Sequence, residues 1–213
     1  YEEDTRQAAV RVLEQSGITF GPERVPQEAG LSPLTVTRDR ESEAIVAQTL
    51  LGDVSREGEN DVRHRYSSVQ GTAEFSMNGT FSVRFQPGAW AKEHERSYED
   101  ASQSCLERID FQGTLISSES GERPGQTVLT YYQNWEGTPL FSCQVTLLWQ
   151  DDTLLRMEGQ RLSGTITSSS EEETLSAATV LVRFLAGVTE GGFVCSRIDE
   201  MNAGYLIVSG TTR

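Results

Sequence analysis

Asn78-Gly79 is the feature that most limits what this chain can become. Both residues tolerate positive φ, and the dipeptide closes two-residue hairpin turns. Ala73, Phe75 and Met77 alternate with polar neighbours before it, and Phe81, Val83 and Phe85 alternate after it. Alternation of this kind sets one side of each strand against a core. A hairpin spanning Arg65 to Phe85 is expected, and with it an antiparallel sheet. Asn78-Gly79-Thr80 is also a glycosylation sequon, but the turn explains it without a sugar.

A second stretch repeats the signal. In "YYQNWEGTPLF", Tyr131 to Phe141, Glu136-Gly137-Thr138-Pro139 supplies a turn. After it Phe141, Cys143, Val145, Leu147 and Trp149 fall on one side and Ser142, Gln144 and Thr146 on the other. The aromatics of this stretch read as core and cross-strand pairs rather than a ligand-stacking box. Tyr131 and Trp135, expected to be exposed at the hairpin corner, are the candidate interaction surface, since aromatics are enriched at binding hot spots.

The rest of the chain alternates helical and strand patterns. Glu2 to Ser16 reads as a helix, with Asp4 and Gln7 as a capping box and Ala8, Ala9, Val12 and Leu13 as its apolar stripe. Leu34 to Thr37 reads as a strand, Glu41 to Leu51 as a helix, and Asp53 to Asp61 as a loop. Ser97 caps a third helix whose stripe is Ala101, Cys105, Leu106 and Ile109, and Ser117 to Gly125 reads as a loop. A meander follows over Thr127 to Trp135, Leu140 to Trp149 and Leu154 to Ser163. Ser170 and Glu173 form a capping box for a helix carrying Leu175, Ala178, Leu181, Val182 and Leu185. A last strand is expected from about Phe193 to Val208. The class is α+β, in two related helix-plus-antiparallel-sheet halves: an N-terminal subdomain over 1–96 and a C-terminal one over 97–213.

Chemistry is sparse. The 213 residues carry a net charge of −14 at pH 7, so phosphate backbones and anionic lipid surfaces would repel the chain, and no nucleic-acid partner is expected. The three cysteines, Cys105, Cys143 and Cys195, match no zinc spacing and read as buried apolar thiols; one bridge remains open if the protein is exported. His64 and His94 stand in polar contexts and read as solvent-facing, with no HExxH or HxxxH, so no metal is expected. Asp151-Asp152 and Glu171-Glu172-Glu173 read as a solvated turn and a helix N-terminus. Phosphate loops and the GxSxG elbow are absent from the sequence. No catalytic residue and no cofactor is assigned. No run of about 20 apolar residues occurs, and the sequence starts at Tyr1 rather than Met, so a segment ahead of it is expected.

From about Glu99 to Val208 the chain resembles the YycI/YycH regulatory proteins. The features that carry the likeness run in order: "TVLTYYQNWEGTPLF", the strand "SCQVTLLW", "TLLRMEGQRLSG", the helix "EEETLSAATVLVRFLAG" and "RIDEMNAGYLIV". Those proteins are single-pass membrane proteins of Gram-positive bacteria that attenuate a cell-wall sensor histidine kinase of the WalK type. The resemblance implies a non-enzymatic regulator outside the membrane, held by an N-terminal anchor. Its partners would be the kinase and a YycH-like protein. The rival expectation is an envelope or spore lipoprotein module that binds a peptide or small ligand. A third is a hydrolase, which would need a pocket of paired carboxylates.

Overall fold

The computed structural model of the chain describes residues 2–22, 34–58, 62–168 and 175–206. In chain order the elements begin α1 (Glu2–Gln15), β1 (Thr19–Phe20), β2 (Leu34–Arg38), α2 (Glu41–Leu51) and β3 (Ser55–Glu57). Next come β4 (Arg63–Ser68), β5 (Gly71–Ser76), β6 (Thr80–Phe85), α3 (Tyr98–Arg108) and β7 (Gly113–Ser120). The chain continues with β8 (Gln126–Trp135), β9 (Thr138–Gln150), β10 (Thr153–Gln160), β11 (Gly164–Ser168), α4 (Ala177–Gly191) and β12 (Arg197–Ile198). The fold is α+β. It divides into two compact units, Tyr1–Thr35 with Ile166–Ala203, and Val36–Thr165 with Gly204–Arg213.

The larger unit is built on one eight-stranded sheet in the order β3-β4-β5-β6-β10-β9-β8-β7, every neighbouring pair antiparallel. Two helix-plus-meander halves are visible in it: α2 leads into β3 to β6, and α3 into β7 to β10. The division expected after Arg96 falls between these halves but does not separate two subdomains. Five residue pairs, from Arg84↔Arg156 to Thr80↔Gln160, zip β6 to β10. One core crosses the seam, with Val46, Leu50 and Val83 from one half against Cys105, Leu147 and Met157 from the other.

Local sequence explains the elements. Val46, Ala47, Leu50 and Leu51 are the buried stripe of α2, and Gly52, at φ +73°, ends it. The Ser97 hydroxyl accepts the Asp100 N–H and starts α3, whose expected stripe of Ala101, Cys105, Leu106 and Ile109 is buried throughout. Two stretches expected to be loops contain strands: β3 within Asp53 to Asp61, and β7 reaching to Ser120. The hairpin around Asn78-Gly79 is the second of two consecutive turns, since β4 and β5 are also paired. β2 pairs with β11 in a separate ribbon.

The smaller unit packs α1 on α4. Ala9, Leu13 and Ile18 meet Ala178 and Leu181, and β1 runs parallel to β12. Asp4 lies inside α1 rather than at its cap. The expected Ser170–Glu173 capping box lies outside the described residues. The cap that is described is Ser176, whose Oγ accepts the Thr179 N–H, so Leu175 precedes the helix. Val182 faces solvent, while Leu185 is half-buried. The last strand is shorter than expected: only Arg197–Ile198 pair as a strand here, Phe193 and Val194 are exposed, and Ile207 and Val208 lie outside the described residues.

Candidate functional site

The large sheet has two unlike faces, and the registers let each be read straight across. Tyr66, Ala73, Val83, Met157, Leu147 and Leu129 form one row, all buried. The neighbouring row is Arg65, Glu74, Ser82, Glu158, Thr146 and Thr130, none of them buried. The first row faces the core with α2 and α3; the second faces solvent. On the solvent side a groove of about 430 Å³ is lined by Arg63, Glu74, Ser76, Thr80, Phe81 and Glu158 among others. Its two carboxylates have arginine partners outside the groove, Arg65 to Glu74 at 3.8 Å and Arg156 to Glu158 at 3.4 Å.

The sheet has two edges. β3 offers only three residues, whereas β7 offers eight, exposed along most of its length. Among the described residues β7 pairs only with β8, and no other strand lies against its outer side. Leu115 and Ile116 stand out from it at 40% and 41% exposure. An edge of this length with apolar side chains and few charges is suited to strand addition by another chain.

Tyr131 and Trp135 part company. Tyr131 was expected to be exposed but is 2% exposed. It sits in mid-strand on the core side of β8, and its hydroxyl donates to the Glu99 carbonyl at 3.3 Å. Burial pushes its phenol up to about 12. It is a core residue, not part of an interaction surface. Trp135 ends β8 half-exposed, edge-on to Tyr205 with ring centroids 6.2 Å apart. The turn beside it is tighter than expected: Glu136 and Gly137 both have positive φ, and β9 already starts at Thr138. The register also slips between Tyr132 and Gln133, whose partners are Gln144 and Leu140. Phe141 therefore leaves the row of Cys143 and packs edge-on against Tyr132 at 5.4 Å.

The histidines differ as well. His94 is exposed, with Nδ1 2.8 Å from Asp152 Oδ2. His64, expected in solvent, is buried on the core side of β4, with Nδ1 2.9 Å from Glu43 Oε2. The reason is strand alternation, which turns His64 and Tyr66 inward and Arg63 and Arg65 outward. Arg40 approaches Glu43 at 3.6 Å. Nearby, burial lowers the pKa of Arg161, against the opposing pull of Asp110, Asp39 and Glu43.

Other chemistry-bearing groups are held in structural roles. Cys105 and Cys143 are buried, their thiols pushed up to about 12 and about 11 by desolvation, and all three cysteines are free. Asp152 binds Lys92 at 2.8 Å, and the hydrogen bonds from Lys92 and His94 hold its carboxyl below the ordinary range. Asp151 accepts the Tyr98 hydroxyl on its carbonyl oxygen. Glu171-Glu172-Glu173 lies outside the described residues. Among the described residues no group of three or more His, Cys, Asp or Glu is placed to hold a metal ion, and no helix is long and apolar enough to cross a membrane.

No protein-family profile and no curated protein matches the sequence. A solved structure of an uncharacterized protein from Eubacterium rectale is similar over 99% of this chain and 85% of that one, with a TM-score of 0.60 and 9% identity. That likeness shows a shared fold. The Bacillus megaterium YpeB C-terminal domain is matched over 57% of this chain and 63% of that one, at 15% identity and a TM-score of 0.32, too low to relate the two folds. Neither match is a YycI or YycH protein.

Proposed function

We propose that this chain is the extracytoplasmic part of a membrane-anchored, non-enzymatic regulator that modulates a sensor histidine kinase by protein–protein contact. The observation that carries the contact reading is the β7 edge, eight residues long and bearing exposed Leu115 and Ile116. A partner strand added there would gain main-chain hydrogen bonds for affinity and pockets beside Leu115 and Ile116 for selectivity. Such a partner shifts the kinase only by the difference in its affinity for the two kinase states, typically about 1–3 kcal/mol. The kinase, the YycH-like co-partner and the N-terminal anchor come from the sequence resemblance.

The test uses the full-length protein in membranes with the sensor kinase of the same organism. Co-purification and altered autophosphorylation are expected, and a Leu115→Lys, Ile116→Lys variant should abolish both while its circular dichroism is unchanged. Association that survives the double substitution would remove β7 from the contact. No association with the native protein would overturn the regulator reading.

The solvent-side groove favours the second reading, a lipoprotein module that holds a peptide or small ligand. A lipobox cysteine ahead of Tyr1 in the gene would support it over the regulator.

A further inference from the structure

On the solvent side of the seam, β6 and β10 set Arg84 directly opposite Arg156. Side chains so placed have Cβ atoms about 4.5–5.5 Å apart, and like charges there destabilise a sheet. The chain has 18 basic residues against 32 acidic ones, so the juxtaposition is not a product of abundance. Arg156 reaches Glu158 Oε1 on its own strand at 3.4 Å. Arg84 is exposed and has no ion-pair partner among the described residues. The same row continues to Thr72 and Ser67 on one side, and to Leu148 and Val128 on the other. Two planar guanidinium forks thus lie between hydroxyl groups and a half-buried apolar shelf.

We infer that the Arg84–Arg156 pair is a docking point for one carboxylate side chain, an Asp or Glu, of a protein partner. A carboxylate between the two forks accepts hydrogen bonds from both and replaces their repulsion with two charge-assisted contacts. The shelf of Leu148 and Val128 takes the apolar stem of the incoming residue. Glu74 and Glu158, both opposite Ser82 in the next row, and the net charge of −14 set the size of the anion. One carboxylate is attracted, whereas a polyanion such as nucleic acid is repelled. The assignment of a protein as the source of the carboxylate rests on the contact reading above.

The test is a titration of the arginine Nε–Hε signals of the nitrogen-15-labelled protein. The probe is N-acetyl-aspartate N-methylamide, with the asparagine analogue and inorganic phosphate as controls. The Arg84 and Arg156 signals should move together and saturate with the aspartate probe alone. Arg84→Gln should abolish saturation at Arg156, and Arg84→Lys, which keeps charge but not the fork, should weaken it. Signals that move independently, fail to saturate, or respond equally to the asparagine analogue would overturn the proposal. So would tighter binding of phosphate. If the kinase co-purifies but the probe does not saturate, the carboxylate site falls and the regulator reading stands. If the probe saturates but no kinase associates, the site stands and the regulator reading falls.

Discussion

The Glu43 carboxylate and the His64 imidazole meet at 2.9 Å inside the larger core, fixing the first turn of α2 to β4. Both side chains are closed to water, at 2% and 9% exposure. Removing one partner of a buried pair strands the other and costs about 3–5 kcal/mol, whereas apolar replacement of both is often neutral. Glu43→Ala should therefore lower the unfolding free energy by about 3–5 kcal/mol. Glu43→Leu with His64→Phe should recover only part of that, since Arg161 keeps Asp39 and Asp110 nearby but Arg40 loses the carboxylate it approaches at 3.6 Å. Urea denaturation of the wild type, both single variants and the double gives the coupling. Strictly additive effects would show that the two groups do not act as a pair.

Burial keeps protons on Cys105, Cys143 and Tyr131 up to about 12, 11 and 12, against ordinary values of 9.0 for the thiols and 10.0 for the phenol. Each value is raised in the folded state, so the unfolded chain binds fewer protons over that window. Stability is then full below about pH 9 and falls as pH rises towards 12. Alkaline denaturation curves should show this loss, and Tyr131→Phe should blunt it. At neutral pH a thiol reagent should modify only half-buried Cys195 in the native protein, and all three cysteines in denaturant.

Lys92 is the only lysine in the chain, and its side chain is 5% exposed. Its ammonium sits over the Tyr98 ring at 4.6 Å and binds Asp152. Amine acylation of the native protein should therefore be slow at Lys92, and mass spectrometry should find it modified only after unfolding. Asp152 has a lowered pKa, so its contribution is present above the ordinary value of 3.8 and is lost as pH falls through the folded one. The melting-temperature difference between wild type and Asp152→Asn should vanish in strong acid. A constant difference would mean the carboxylate charge is irrelevant to the clasp.

Gly159 lies in β10 at φ +153°, and a Cβ there would run into the Gln144 carbonyl oxygen on β9. Gly159→Ala should lower stability by more than about 1 kcal/mol, through both the backbone conformation and the close approach. Gly187, on α4 with open space where its Cβ would be, is the control: Gly187→Ala should be neutral or stabilising. Equal melting temperatures for the two variants would refute the close approach.

What could be read from the sequence was what neighbours decide. The Ser97 cap and the limits of α2 depend on residues within one or two turns of each other, and both appear as expected. The Asn78-Gly79 hairpin is also present, but its loop is Met77-Asn78-Gly79, with positive φ at Gly79 alone and Met77 exposed rather than in the strand. β7 escaped because "GTLISSES" neither alternates cleanly nor carries many large residues. Its strand character comes from β8 beside it, in pairs such as Thr114↔Tyr132. Burial of His64 escaped because its sequence neighbours are arginines, while the group that compensates it sits on α2. Tyr131 was misplaced for the same reason. Its distance from the turn, which puts it under α3, depends on the register with β9. The surface features, the β7 edge and the Arg84–Arg156 pair, are products of strand order, which no local pattern encodes.

The β6–β10 seam also governs how the sheet can assemble. Each meander closes from strands adjacent in sequence, but the seam joins Arg84 to Arg156 across the whole second half. Non-local pairings of this kind pay more chain entropy and form slowly. Until the seam shuts, β6 and β10 are both open edges, and each matches the other strand of any identical chain nearby. At high concentration the halves of two molecules have the same pairing available between chains as within one, and within one chain the Lys92–Asp152 clasp on the segment joining the halves favours the intramolecular seam.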